Sequence, residues 1–184
     1  VGYTNAGKTT LFNCLTNSKQ EAEDKLFATL DSVTRKNIDP ELGPILFSDT
    51  VGFISQLPTQ LIESFKATLD ELKSADLLLH VVDASDLDKK QKEMEVNKIL
   101  SDLDLEQIPQ IRINNKCDLI ESFCNKELIS HKTKEVWISA EKNDGIAELR
   151  DLINEELFNG IYKGWVSLEA SLGKIRSKLF RMGC

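Results

Sequence analysis

Two kinds of apolar segment alternate along the chain, and together they predict a parallel sheet covered by helices. Apolar segments of strand length lie at 45–48, 76–83 and 136–139, and two isoleucines mark a further strand at 111–114. The turn signal Gly43-Pro44 predicts that a short polar strand at 35–39 precedes the one at 45–48. Apolar residues at helical spacing predict helices at about 7–16, 58–72, 88–103, 121–132 and 144–158. Continuous apolar runs are typical of central parallel strands, which need crossover connections. We therefore expect an α/β fold with a doubly wound, mostly parallel sheet and helices on both faces.

The same patterns predict which individual side chains are buried and which one caps a helix. In helix 88–103 the residues available for packing are Met94, Val96, Ile99, Leu100 and Leu103. His80 lies inside the apolar run 76–83, so we expect a core histidine rather than a catalytic one. Asp144 stands where it can cap the helix that follows it.

After residue 158 the pattern changes, which divides the chain into a domain at 1–158 and an appendage at 159–184. Residues 160–165 indicate a connector, and helical spacing returns after Ser171. From Lys163 onward five basic residues face one acidic residue, within a chain whose formal net charge is −7. Such a basic helix can touch RNA or an acidic surface, and a solvated helix face explains the charges equally well.

Composition indicates an ordinary cytoplasmic protein, which we expect to be monomeric. The chain has 184 residues, 41% hydrophobic and 29% charged, and no apolar run reaches the roughly 20 residues of a membrane span. Its four cysteines show no disulfide-framework spacing, as expected in a reducing compartment. Cys117, Cys124 and His131 are seven residues apart, but incidental thiols explain them better than a metal site.

The strongest chemical signal is at the start of the chain, where the sequence matches G-x-x-x-x-G-K-[ST]. The matching residues and the threonine after them are Gly2, Tyr3, Thr4, Asn5, Ala6, Gly7, Lys8, Thr9 and Thr10. This phosphate-binding loop cradles phosphate oxygens with backbone N–H groups at a helix N-terminus. Lys8 is expected to reach the β- and γ-phosphates, and the Thr9 hydroxyl to bind Mg²⁺.

The position of this loop predicts a fragment. A phosphate-binding loop follows a buried strand, yet only Val1 precedes Gly2. We therefore expect a Ras-like P-loop fold whose first strand is largely missing from this sequence.

A second motif, D-x-x-G, follows the strand at 45–48. It consists of Asp49, Thr50, Val51 and Gly52. Its position at a strand end, 40 residues after Thr9, lets Asp49 hold the metal through water and lets the Gly52 N–H meet the γ-phosphate.

Two further motifs predict a guanine site. Asn115, Lys116, Cys117 and Asp118 match N-K-x-D, and Ser139, Ala140 and Glu141 follow the last strand. The Asp118 carboxylate can accept two hydrogen bonds from guanine, and adenine does not offer that arrangement. In this order the motifs favour GTP and GDP over ATP, and they oppose an ATPase or a kinase.

Five residues leave alternatives open. Thr29 and Thr34 both lie in the loop before the second strand, and either hydroxyl can bind Mg²⁺ when a γ-phosphate is present. Asn5 can coordinate K⁺ beside the phosphates or only stabilise the loop, and Arg35 is a surface residue rather than an arginine finger. Phe53 stands where Ras-like enzymes have the water-orienting Gln, which predicts slow intrinsic hydrolysis completed by a partner.

The sequence resembles the HflX family of the Obg–HflX superfamily. The resemblance rests on the phosphate-binding loop and on five further blocks, at 27–35, 48–54, 57–58, 65–69 and 79–85. It favours Thr29 as the magnesium-binding threonine, within a switch segment of Phe27, Ala28, Thr29, Leu30 and Asp31.

Members of that family are cytoplasmic GTPases that bind the large ribosomal subunit, and some separate stalled ribosomes under stress. The resemblance therefore implies a Mg²⁺-dependent, ribosome-associated GTPase, with Lys8, Thr29 and Gly52 at the reacting phosphate. The alternative is a GTP-controlled binding module with negligible turnover, which Phe53 leaves open.

Overall fold

The structure is a computed structural model that describes residues 1–18, 33–39, 43–50, 52, 72–120, 129–130, 132–158, 167–168 and 172–181. The predicted helix at 58–71, most of the predicted helix at 121–132 and the connector at 160–165 lie outside the described residues. No helix in the described part is long and apolar enough to cross a membrane.

The described part of the chain contains six strands and four α-helices. The strands are β1 (Val33–Asp39), β2 (Gly43–Asp49), β3 (Leu78–Asp83), β4 (Gln110–Asn115), β5 (Ile129–Ser130) and β6 (Glu135–Trp137). The helices are α1 (Lys8–Thr16), α2 (Lys89–Asp102), α3 (Ile146–Phe158) and α4 (Gly173–Arg181), with a 3-10 turn at Cys117–Leu119. The predicted boundaries of α1, α2 and α4 agree with these to within about two residues.

The main sheet has four strands in the order β3-β4-β6-β5, with β3, β4 and β6 parallel and β5 antiparallel at one edge. At the other edge, Gly2 forms a parallel bridge with Val81, and the Val81 N–H donates to the Val1 carbonyl at 2.9 Å. The phosphate-binding loop is therefore anchored on β3, and the carboxyl ends of β3 and β4 lie beside it.

The core has two parts, and they lie against α3 and α2. The larger cluster joins α1 and α3 to the inner strands and includes Ile111, Ile113, Val136, Leu149 and Leu152. The smaller cluster includes α2 residues Val96 and Leu100 together with Leu72, Leu78 and Leu105. Both clusters contain residues of β3, whose successive side chains point to opposite faces. The doubly wound α/β prediction is confirmed.

Strands β1 and β2 form an antiparallel hairpin that has no ladder to the main sheet within the described residues. Its outer face is exposed and includes Ile38 and Leu46, which are 73% and 68% exposed. The hairpin is tied to α1, because Asn37 Nδ2 donates to the Leu15 carbonyl at 3.0 Å. Arg150 of α3 donates to the same carbonyl at 3.0 Å, so one helix end carries contacts to both neighbours.

Three expectations are wrong in detail. Ile129 and Ser130, inside the predicted helix at 121–132, form strand β5, because Ile129 pairs with Val136 and packs on the larger core cluster. Met94 is 71% exposed, since it lies two positions before buried Val96 and a helix turns about 200° over that step. Gly145, rather than Asp144, immediately precedes α3, and the Asp144 backbone pairs with Ser139.

Candidate functional site

The phosphate-binding loop folds as a left-handed turn leading into α1. Asn5 and Gly7 have φ angles of 61° and 87°, and Gly7 directly precedes the helix. A side chain at Gly2 would meet the sheet, because a Cβ there would lie 2.3 Å from the Val81 carbonyl oxygen. The loop can therefore approach β3 this closely only with glycine at this position, and it leads into the α1 N-terminus, where a phosphate can bind.

Lys8 is held inside the loop by a contact with the backbone. Its Nζ donates to the Tyr3 carbonyl oxygen at 2.8 Å. Burial lowers the pKa of Lys8 from 10.5 to about 8, although the nearby Asp49 carboxylate opposes the shift. The fold thus places a costly positive charge where phosphate oxygens would neutralise it.

Thr9 and Asp49 meet at the start of α1, as predicted for a metal site. The Thr9 hydroxyl donates to Asp49 Oδ2 at 2.8 Å, and Asp49 is only 3% exposed at the end of β2. A hydroxyl and a carboxylate are the oxygen ligands that Mg²⁺ takes in proteins, usually together with water and phosphate. These two residues fit a magnesium ion. The described residues contain no cluster of three or more His, Cys, Asp and Glu side chains that could hold a metal by itself.

Gly52 lies against the loop at the phosphate end. A Cβ on Gly52 would lie 2.8 Å from Thr4 Cγ2 and 2.9 Å from Lys8 Nζ, so a larger residue would displace the loop or the lysine. Thr50 is buried beside Asp49, and its hydroxyl has no hydrogen-bond partner in the part of the chain that the structure describes. The D-x-x-G motif and the phosphate-binding loop are therefore in direct contact.

Asn115 joins the phosphate-binding loop to the loop after β6. Its Nδ2 donates to the Ala6 carbonyl at 2.9 Å, and its Oδ1 accepts the Ala140 N–H at 3.0 Å. The contact is close enough that a Cβ on Gly7 would lie 2.3 Å from Asn115 Nδ2. One buried amide therefore fixes the distance between the two ends of the site.

The base-recognition residues follow directly after β4. Burial opposes ionisation of Asp118, but the Ser139 hydroxyl, the Asp118 backbone and Lys142 hold the pKa of its carboxyl below the ordinary value. Lys142 Nζ lies 3.5 Å from Asp118 Oδ2. Asp118 is therefore an ionised acceptor beside the Ser139 loop, as guanine recognition requires.

The remaining predicted residues have simpler positions. Thr10 lies in α1, Tyr3 places its ring 5.1 Å from Lys92 Nζ, and Glu141 is exposed. Cys117 is buried in the 3-10 turn, and burial raises the pKa of its thiol. Seven residues named for the switches lie outside the described residues: Phe27, Ala28, Thr29, Leu30, Asp31, Val51 and Phe53. Cys124 and His131, the other members of the Cys117 trio, also lie outside them.

Thr34, the alternative switch threonine, lies in β1 and points away from Asp49. Its hydroxyl is 2.7 Å from the Ser48 hydroxyl on the exposed face of the hairpin. Asp49 follows Ser48 and is buried, and successive side chains of a strand point to opposite faces. Arg35 is exposed in the same strand, as expected of a surface residue, and His80 is buried in β3.

Sequence reasoning missed Asp83, which contacts the base-recognition loop. Asp83 Oδ2 lies 2.7 Å from Lys116 Nζ. The signal was present in the sequence, because Asp83 ends a buried apolar run at the sheet edge where Asn115 ends the next one.

Phosphate binding and base recognition are assigned to different ends of the site. Lys8, Thr9 and Asp49 gather positive charge and metal ligands at the α1 N-terminus, and Asp118 presents a carboxylate at the other end. Asn115 spans the two ends. This arrangement can bind a guanine nucleotide with its phosphates on the loop and its base beside Asp118.

The sequence comparisons agree with this geometry. A family model described as a 50S ribosome-binding GTPase matches residues 1–116. The chain is 47% identical over 158 residues to the GTPase HflX of Caldanaerobacter subterraneus, covering 86% of this chain and 36% of that protein. It is 39% identical over 184 residues to the GTPase HflX of Escherichia coli, covering 99% of this chain and 43% of that protein. The chain thus spans less than half the length of these relatives.

Solved structures share the fold. A GTP-binding protein of Sulfolobus solfataricus, in complex with GDP, matches with a TM-score of 0.65 at 28% identity, covering 84% of this chain and 50% of that one. Era, in complex with MgGDPNP and a 16S ribosomal RNA segment, matches with a TM-score of 0.70 at 24% identity, which shows the fold alone. That match covers 93% of this chain and 58% of that one. On the family model and the similar relatives together, the chain belongs to the HflX family of GTPases.

Proposed function

We propose that this chain is the nucleotide-binding part of a Mg²⁺-dependent enzyme that hydrolyses GTP to GDP and phosphate. The observation that carries the proposal is the Asn115 amide, which joins the Ala6 carbonyl of the phosphate loop to the Ala140 N–H of the base loop. These two hydrogen bonds hold the phosphate loop and the base loop together, which would let one nucleotide contact both. In this proposal residues 1–158 form the nucleotide-binding unit, and residues 159–184 lead to a further region of the protein.

The chain supplies charge and position rather than covalent chemistry. Lys8 would release the Tyr3 carbonyl and bind the β- and γ-phosphates, which stabilise its buried charge. Thr9 and Asp49 would hold Mg²⁺, directly and through water, and Thr29 would join them when GTP is bound. The bound metal would neutralise charge on the phosphate oxygens. Gly52 would donate its N–H to the γ-phosphate, where its lack of a side chain permits close approach.

Water activation lacks its expected side chain, because the position directly after the D-x-x-G motif holds no hydrogen-bonding residue. Phe53 directly follows the D-x-x-G motif and cannot hydrogen-bond a water molecule. We therefore propose that intrinsic hydrolysis is slow, below about 1 s⁻¹, and that a partner completes the site.

The proposed partner is the large ribosomal subunit, in the cytoplasm, in stress-linked ribosome splitting or rescue. Support comes from the family description, which names 50S ribosome binding, and from the resemblance of the whole domain to HflX proteins. Helix α4 adds support, because Lys174 and Lys178 are exposed on a helix that carries basic residues and no acidic one. Those charges suit an RNA backbone.

The proposal is tested by GTP hydrolysis of the intact parent protein with and without large ribosomal subunits. We expect slow turnover alone and an increase of at least tenfold with subunits. Turnover above about 1 s⁻¹ without a partner would contradict the incomplete site.

Phe53 also favours a second candidate, a GTP-controlled binding module whose turnover is incidental. That candidate expects ribosomal subunits to bind the GTP form more tightly than the GDP form. It also expects hydrolysis to change by less than about twofold. Measuring binding and turnover on the same samples separates the two functions.

Potassium is a further part of the proposal, carried by Asn5. Asn5 is exposed in a left-handed conformation at the tip of the loop, where its side-chain oxygen can face the phosphates. A bound K⁺ would add positive charge next to the reacting phosphate. Faster hydrolysis in potassium than in sodium buffer is expected, with the difference lost in Asn5→Ala. Equal rates in both buffers would show that K⁺ has no role in hydrolysis.

A further inference from the structure

We propose that Asp83 is a positioning residue for the base end of the nucleotide site, because its carboxylate holds Lys116 in place before guanine binds. The inference rests on the proposed function, and it concerns affinity for the nucleotide rather than the hydrolysis step. No motif of the sequence gives this residue a role, although it lies within the block at 79–85 that carries the family resemblance.

The sheet brings the two residues together. Asp83 is the last residue of β3 and lies opposite Asn115, the last residue of β4. The Ala84 N–H extends this ladder by donating to the Asn115 carbonyl at 2.8 Å. Lys116 comes next, so its side chain can turn back across the strand end, where Nζ lies 2.7 Å from Asp83 Oδ2.

Lys116 has an unusual backbone conformation that this contact supports. Its φ angle is 62°, in the left-handed region, and it immediately precedes the 3-10 turn that contains Asp118. A lysine side chain loses considerable rotamer entropy when it is fixed. The ion pair with Asp83 fixes it in the nucleotide-free chain, so less ordering remains for the step of binding.

Asp83 is itself held in a single orientation. Its second oxygen, Oδ1, accepts the Ser85 N–H at 3.0 Å and the Ser85 hydroxyl at 2.6 Å. One oxygen therefore anchors the carboxylate to its own turn, and the other faces Lys116.

The neighbouring lysines have other partners. Lys89 Nζ donates to the Ala84 carbonyl at 2.6 Å, and Lys92 pairs with Asp86. The Asp86 carboxylate, three residues along the chain, is therefore matched to a different cation, which makes it a suitable control.

The test is a double-mutant cycle on the 184-residue chain, with fluorescent GDP as the probe. Asp83→Asn keeps an oxygen for Ser85 and removes the charge that faces Lys116. We expect GDP and GTP to dissociate about tenfold faster, by equal factors, because the contact is remote from the γ-phosphate. In a Lys116→Met background, which keeps the alkyl stem, Asp83→Asn should change dissociation by less than twofold.

Two variants complete the design. Asp86→Asn should leave the dissociation of both nucleotides unchanged. Asp83→Glu keeps the charge but shifts it by one methylene, and it should give an intermediate loss even if Asp83→Asn does not fold.

An equal effect of Asp83→Asn with and without Lys116 would overturn the positioning role alone, since the residue would then act through the turn. Unchanged dissociation in both Asp83 variants would also overturn it. Absence of GDP binding by the unmodified chain would overturn the proposed function, and the positioning role with it.

Discussion

The two ends of the nucleotide site are built differently. At the base end, Asn115 and Asp118 have protein hydrogen bonds in place, and Asp83 holds Lys116. At the phosphate end, Lys8 is buried against a carbonyl, and its pKa is lowered to about 8 because burial disfavours the charge. The base end is therefore preorganised, and the phosphate end carries a buried charge that the Tyr3 carbonyl and the Asp49 carboxylate stabilise only in part.

This difference assigns separate roles to the two ends. A preorganised end lowers the entropy lost on binding and can reject a wrong base, because its polar groups are already aimed. A buried charge whose pKa is lowered costs folding free energy in the nucleotide-free chain, and phosphate oxygens that stabilise the charge would recover that free energy. Substitutions at the two ends should therefore have opposite signs on the stability of the free chain.

The largest expected effect is that of Lys8→Met. Nucleotide affinity should fall by about 100-fold or more, because charge-assisted phosphate contacts are lost. The melting temperature of the nucleotide-free chain should rise by several degrees, because a buried charge is removed. Thermal unfolding and GDP titration measure both, with Lys98→Met on an exposed α2 position as the control. A lower melting temperature for Lys8→Met would contradict a destabilising phosphate end.

Asn115→Ala should act in the opposite direction on stability. It leaves the Ala6 carbonyl and the Ala140 N–H without their partner, which costs about 2–4 kcal/mol of unfolding free energy. GDP affinity should also fall by a factor of tens, because the side chain no longer joins the phosphate end of the site to the base end. Asn114→Ala is a matched control, since the neighbouring Asn114 is equally buried but bonds to Glu135 on β6. Both variants should melt earlier, and only Asn115→Ala should lose GDP affinity beyond what unfolding explains.

The pH dependence follows from the lowered pKa of Lys8. Between pH 8 and 10.5 the unfolded chain holds a proton on this lysine that the folded chain releases, so the Lys8 contribution makes stability rise with pH there. Binding needs the charged form, so GDP affinity should fall up to tenfold per pH unit above about 8. Comparing titrations of the wild type with Lys8→Met isolates this lysine from other groups. An affinity that stays level from pH 7.5 to 9.5 would show that Lys8 keeps its proton throughout.

The smallest expected effect is that of Thr34→Ala. Its hydroxyl pairs with Ser48 on the outer face of the hairpin, away from Asp49. GTP affinity and its Mg²⁺ dependence should change by less than about twofold, whereas Thr9→Ala should weaken the Mg²⁺ dependence strongly. Titrating Mg²⁺ into the GTP complex of each variant checks this. A strong loss of GTP affinity or of its Mg²⁺ dependence in Thr34→Ala would make Thr34 the switch residue in place of Thr29.

The sequence predicted the helices and strands whose hydrophobic pattern extends over many residues. It predicted the parts of the site that belong to short contiguous motifs. Strand β3 lies in a continuous apolar run, the isoleucines of β4 alternate with polar residues, and α1 and α2 have clear helical spacing. Strand β5 has two residues, too few to show any period, so it was mistaken for part of a helix. Each motif was visible in the sequence because its residues are adjacent in the chain.

Contacts between motifs were not predictable from the sequence in the same way. Asn115 reaches the Ala6 carbonyl across 109 positions, and this depends on the register of the sheet. The Lys116 pair with Asp83 and the lowered pKa of Lys8 likewise arise from packing. Composition cannot reveal an ion pair or a lowered pKa of this kind, because an isolated lysine or aspartate titrates at its ordinary pKa.

The central claim is that the preorganised base end makes this a guanine nucleotide site. The most direct measurement is thermal unfolding of the 184-residue chain with Mg²⁺ and either GDP or ADP at equal concentration. At about 100 times the dissociation constant, GDP should stabilise the fold by about 2.7 kcal/mol and raise the melting temperature by several degrees. ADP should leave the melting temperature unchanged to within about one degree. An equal rise with ADP, or none with GDP, would contradict the account.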